Sequence, residues 1–199
     1  MSISVSRAVP ALLLSVLLSG GTVALAAPAH ADRWTYDDAA GDVTHQVETP
    51  TSLSVETVPE RTNGDITQVV VDHRRTKVVI EVRTMAPITG PFVAGIGLRS
   101  RGHRVALMWM RMPGMNSTDV MDFNDEDFRC RGLKRKLTAG KTSIRFAVPR
   151  SCLGNPRWVR VGATLSTLSM FTADSYDDDG LQAGMTLTGP NGKSPKIRR

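Results

Sequence analysis

The sequence predicts an all-β protein: a single antiparallel β-sandwich, jelly-roll-like, tied by one disulfide. Three observations lead there. Apolar residues recur with period two in run after run beyond residue 31, and turn signals rich in Gly, Pro and charge separate the runs about every ten residues. Nowhere does an i, i+3, i+4, i+7 stripe run long enough for a helix. A period of two puts alternate side chains on opposite faces of a pleated strand, so each run carries one face to bury.

The first thirty-one residues stand outside this pattern. Arg7 supplies a positive start, Ala8 to Leu18 an apolar run, and Ala29-His30-Ala31 a small-residue cleavage pattern, so residues 1–31 read as an export signal. The apolar run is shorter than the roughly 20 residues that span a bilayer. The expectation is a secreted protein with no membrane anchor after cleavage, a β-sandwich domain over 32–188 and a basic, mobile tail over 189–199. About 168 residues remain after the signal, enough for one domain with a sizeable core.

Three hairpins follow in order. Thr67–Val71 and Lys77–Arg83 are rich in β-branched residues and flank the polar connection "DHRRT"; Val78, Ile80 and Val82 share one face, Lys77, Glu81 and Arg83 the other. "FVAGIGL" and "RVALMWM" flank "RSRGH". In the second of these runs Val105, Leu107 and Trp109 make one face, and Ala106, Met108 and Met110 make the other face apolar as well, which predicts a central or covered strand. "RGLKRKL" and "TSIRFAVP" meet through Ala139-Gly140, and "RSCLGNP" then turns the chain into "RWVRVGATLSTLS".

Cys130 and Cys152 are the only cysteines. In an exported chain they are expected to form a disulfide. Neither has a Cys or His at zinc-ligand spacing, and no C-x-x-C motif argues for redox chemistry.

The formal charge is +6, falling to +5 without Arg7, and its signs are segregated. Acid gathers at Asp37–Asp42, Asp119–Asp127 and Asp174–Asp179; base gathers at His73–Lys77, Arg99–Arg104, Arg129–Lys136, Arg150–Arg160 and the last seven residues. A basic face of this kind suits anionic polymers. Nucleic acid is not expected, because aromatic residues interleaved with the basic ones are missing.

No G-x-S-x-G, H-E-x-x-H, P-loop or dinucleotide fingerprint occurs, and only His45, His73 and His103 remain beyond the signal. The clustered acids suit a hard cation better. Calcium takes six to eight oxygens, commonly from Asp side chains and loop carbonyls. "DDAAGD" and "DSYDDDG" supply such oxygens, but neither has EF-hand spacing, so a site must be assembled from separate segments. The rival reading makes both stretches hydrated loop turns held by Asx-type hydrogen bonds.

At these residues the chain resembles secreted β-sandwich modules of the family 9 carbohydrate-binding and DOMON type. The resemblance lies in "DDAAGDV" followed by "GDITQVVVDHRRTKVVIEVRT", with Asp38, Gly41, Asp42, Asp65 and Ile66 at the matching positions, and covers about fifty residues. Over more of its length, including "VPRSCLGNPRWVRVGA", the chain resembles small exported actinobacterial proteins with no assigned activity. The module resemblance implies N-terminal acids around a structural Ca2+ ion and a ligand on a sheet face or its loops. The candidate metal set is Asp38, Asp42, Asp65 and Asp178, and the candidate ligand-binding aromatics are Trp34, Tyr36 and Trp158. Only 5% of the chain is aromatic, a thin platform for sugar rings.

The sequence thus predicts a secreted or cell-envelope module that binds rather than catalyses, with a cell-wall glycan or anionic envelope polymer as its partner. The alternatives are a secreted hydrolase using Asp38, Asp42 and His45, or an inhibitor-like protein that meets another protein through its basic face.

Overall fold

The structure, a computed structural model, describes residues 33–49, 52–169, 174–185 and 191–199. The expected export signal lies outside them. The strands run in order β1 (Arg33–Asp37), β2 (Thr44–Thr49), β3 (Ser52–Thr57), β4 (Ile66–His73), β5 (Lys77–Thr84), β6 (Phe92–Arg99), β7 (Arg104–Met112), β8 (Met115–Asp122), β9 (Lys134–Leu137), β10 (Ser143–Pro149), β11 (Trp158–Leu168), β12 (Ser175–Asp179) and β13 (Ile197–Arg198). Among the described residues no helix is long and apolar enough to cross a membrane.

All pairings between these strands are antiparallel. One sheet has the order β1-β4-β5-β10-β9; the other runs β3-β2-β12-β11-β6-β7-β8, with β13 also on β11. The two sheets face each other as a sandwich, and the period-two residues supply its filling. Val69, Val71, Val78, Ile80, Ile144, Phe146 and Val148 come from the first sheet; Ile96, Leu98, Val105, Leu107, Val159, Val161 and Leu165 come from the second. All are buried. Trp109 locks the layers together, edge-on to Phe92 at 5.1 Å and to Phe146 across the sandwich at 6.2 Å. Its indole N–H donates to Asn116 Oδ1 at 2.8 Å, which meets the polar requirement of a buried tryptophan.

The three expected hairpins form as β4–β5, β6–β7 and β9–β10. Strand β7 is central, between β6 and β8, yet its apolar second face is open at Met108, which is 41% exposed. "RSCL" makes a 3-10 turn that ends on Gly154 in the left-handed region at φ 70°. Cys130 and Cys152 are bonded, with Cα atoms 5.2 Å apart.

Two expectations need correction. The segment "SYDDD" is a strand, β12, and not a loop. The tail from 189 is not free over its described part: Ile197 is buried and pairs with Val159, the Ser194 N–H donates to the Val161 carbonyl, and the Val161 N–H donates to Ser194 Oγ. Ile197 and these hydrogen bonds dock a segment that is otherwise rich in Lys and Arg.

Candidate metal centre

Three separate segments bring carboxylates to one end of the sandwich. Asp38 and Asp42 flank the turn between β1 and β2. Asp65 immediately precedes β4, and Asp178 lies on β12. Asp178 stands opposite Leu165, so the strand's alternation aims it inward between the sheets. There its Oδ2 accepts the Ile66 N–H at 2.6 Å, linking β12 of one sheet to β4 of the other. The sheets approach closely at this point, because a Cβ on neighbouring Gly180 would lie 2.8 Å from both Ile66 and Val69. Gly41, at φ 79°, turns its N–H onto Asp65 Oδ2 at 2.9 Å. Gly184 donates to Asp42 Oδ2 at 3.0 Å.

Each of the four acids keeps a second oxygen with no partner. Asp38 Oδ2, Asp42 Oδ1, Asp65 Oδ1 and Asp178 Oδ1 are all buried, and none has a hydrogen bond among the described residues. Asp65 and Asp178 are fully buried residues. One oxygen each from Asp38, Asp42 and Asp178 lie within 4.8 Å of one another. Asp65 stands beside this triad; its charge helps raise both Asp38 and Asp178. Among the described residues no Lys, Arg or His pairs with any of the four.

The electrostatic consequence is large. Burial, then the Asp42 charge, pushes the Asp38 carboxyl up to about 7, against a partial offset from the Ala39 N–H. Burial pushes Asp178 up to about 8, although the Ile66 N–H opposes it. Asp65 and Asp179 are raised as well, chiefly by burial. Asp122, another buried acid, behaves oppositely. Burial works to raise it, but N–H groups of Arg104 and Asn124 on Oδ1 and the His103 ring on Oδ2 outweigh that and hold it low. Saturated oxygens make Asp122 a hairpin latch; unsaturated ones leave the Asp38–Asp178 cluster short of positive charge.

The donor set fits a hard cation. Oxygens about 2.3–2.6 Å from a calcium ion span at most about 5 Å across the shell, and the triad meets that dimension. Carboxylates without water or hydrogen-bond partners cost free energy that a divalent ion would offset.

A pH prediction follows. In the folded state Asp38 and Asp178 keep their protons up to about 7 and about 8, whereas the unfolded chain releases them near 3.8. The folded state therefore binds more protons between these limits, and metal-free stability must fall as pH rises through them. Melting temperature in chelator should be higher at pH 5 than at pH 8. The reverse order would show that the four acids are compensated.

The other predicted site residues are dispersed. Trp34 and Tyr36 stack at 6.0 Å on β1, at the edge of the five-stranded sheet, while Trp158 begins β11 in the other sheet under Lys196 Nζ at 4.7 Å. They form no common platform. His45 turns to Asp174, 3.2 Å away, and stacks on Tyr176 at 4.7 Å, away from a catalytic pairing with Asp38. Asp179, which the candidate set omits, faces outward opposite Thr164 and accepts N–H groups from Leu181 and Gly192.

Comparison with protein-family models, with curated proteins and with solved structures finds no match for this chain.

Proposed function

We propose that this chain is a secreted, non-catalytic β-sandwich binding module whose sheets are pinned at one end by a calcium ion. The observation that carries the reading is the set of four buried, unpartnered carboxylate oxygens on Asp38, Asp42, Asp65 and Asp178. They come from three segments far apart in sequence, so the ion would join the β1–β2 turn, the start of β4 and β12 at once. The resemblance to carbohydrate-binding and DOMON modules, stated on Asp38, Gly41, Asp42 and Asp65, supports the same assignment. The Cys130–Cys152 bond and the export pattern of residues 1–31 support an oxidising, extracellular setting.

A hydrolase has less support, because the acids do not line the groove over Gly97, Arg99 and Arg104, and His45 is engaged elsewhere. A neutral-sugar site has less support because the aromatics are split between sheets. An anionic component of the cell envelope suits the exposed basic face better.

Calcium at about a hundred times its dissociation constant should stabilise the fold by about 2.7 kcal/mol. For a domain of this size that raises the melting temperature by roughly 5–10 °C. Chelator should remove the shift, and magnesium should restore less of it, since it gives up its waters reluctantly. Identical melts with calcium and with chelator would eliminate the proposal.

A further inference from the structure

The outer face of the eight-stranded sheet carries a feature unrelated to the acidic cluster. Register sets Arg160 opposite Arg99 and Arg99 opposite Arg104, a row of three arginines across β11, β6 and β7. Like charges placed directly opposite weaken a sheet. Among the described residues no acid pairs with them; Asp119 lies two rows away opposite Met108, and Asp122 is taken by His103. The next row is almost bare: Gly162, Gly97 and Ala106 stand side by side, and Met121 closes the row on the edge strand.

These two rows floor a groove of about 500 Å³, within the range of small-molecule sites. Its apolar walls are Met108, Met121 and Phe123, which are 41%, 45% and 60% exposed. Arg104 lies over the Phe123 ring at 4.9 Å. Lys193 adds a fourth cation from a segment tethered by the Gly192 N–H on Asp179 Oδ2 at 2.7 Å.

Gly97 is the telling residue. A Cβ at Gly95 would collide with Thr164 Oγ1 and one at Gly162 would meet the Gly192 carbonyl at 3.0 Å, but one at Gly97 would meet nothing within 4 Å. Its φ is not in the left-handed region. Glycine weakens a strand interior without such a need, so its effect here is to keep the groove floor low.

We propose that this groove binds a free anionic amphiphile, with its carboxylate or phosphate head on Arg99, Arg104, Arg160 and Lys193. Its single acyl chain lies over Gly97 and Ala106 against the two methionines and Phe123. Methionine walls adapt to a flexible chain, and charge complementarity selects the anion. The inference deepens the binding-module reading by naming a ligand class, and it rests on that part of the reading alone.

Dodecyl phosphate, below its micellar concentration, is the probe, titrated calorimetrically into the disulfide-bonded protein at low salt. It should bind at least about tenfold more tightly than inorganic phosphate or uncharged dodecyl maltoside. Gly97→Leu should abolish binding without lowering the melting temperature, and the double variant Arg99→Gln/Arg160→Gln should weaken it at least about tenfold. Unaltered binding in either variant overturns the proposal, as does inorganic phosphate binding equally well. Gly97→Leu should keep the calcium-dependent melting shift, so failure of the groove and failure of the cation site are read separately.

Discussion

Asp178→Asn is expected to stabilise the protein in chelator and destabilise it in calcium. The substitution preserves shape, and the asparagine carbonyl can accept the Ile66 N–H that Asp178 Oδ2 accepts at 2.6 Å. What it removes is a carboxyl that burial and three neighbouring acids push up to about 8, so that near neutral pH the metal-free chain must take up a proton there in order to fold. Without metal, that proton uptake is a cost near neutral pH, and the neutral amide avoids it. The gain should be on the order of 1 kcal/mol. With calcium the balance reverses, because a charged ligand is lost. A hundredfold fall in affinity would forfeit about 2.7 kcal/mol of linkage stabilisation. Thermal melts at pH 7.5 with calcium and with chelator measure both signs in one protein pair. Asp37→Asn is the control: exposed, with Oδ1 accepting from Gln68 Nε2 at 2.6 Å, it should shift neither melt by more than about 0.5 kcal/mol. Destabilisation of equal size in both buffers would mean that Asp178 is only a strand-to-strand hydrogen-bond acceptor.

The fold class was legible because the strongest determinant, alternation of Val, Ile and Leu, is local. "DHRRT" and "RSRGH" lie between clean period-two runs, and the hairpins they imply form in register. Strand β12 was hidden because aspartate is depleted in strands, and "SYDDD" reads as a hydrated turn. Tertiary contacts override that preference: Asp178 turns inward to Ile66, and Asp179 outward to Leu181 and Gly192. Strand β8 was hidden for another reason. Its outward row of Ser117, Asp119 and Met121 mixes polar and apolar residues, as an edge strand beside a groove does. The candidate acids were named from clustering and from a resemblance, but only folded distances separate the close triad of Asp38, Asp42 and Asp178 from Asp65 beside it. Composition also hid the anion groove. Its three arginines come from three strands, and nothing in the linear order of Arg99, Arg104 and Arg160 announces that they adjoin.

Loss of the Cys130–Cys152 bond is expected to cost about 3 kcal/mol, since the bridge closes a loop of 22 residues in the unfolded chain. The closed loop contains the β9–β10 hairpin, which forms one edge of the five-stranded sheet. The bridge lies among apolar contacts that neighbouring residues also make. Cys152 sits in the core with Leu153, and Phe128, Cys130 and Leu133 pack against that core as ordinary apolar groups. Arg150 fixes the same turn from the other side, donating to the backbone carbonyls of Arg75, Asn155 and Pro156. The double variant Cys130→Ala/Cys152→Ala should therefore fold to the same sandwich but melt roughly 6–12 °C lower. Because the bridge acts mainly by restricting the unfolded ensemble, the variant should also show a larger urea m-value, as a less compact unfolded state exposes more surface. An unchanged melting temperature would mean that strain in the native bridge cancels the gain. A lower one at constant m-value would place the bridge's effect in the folded packing of Cys152 instead.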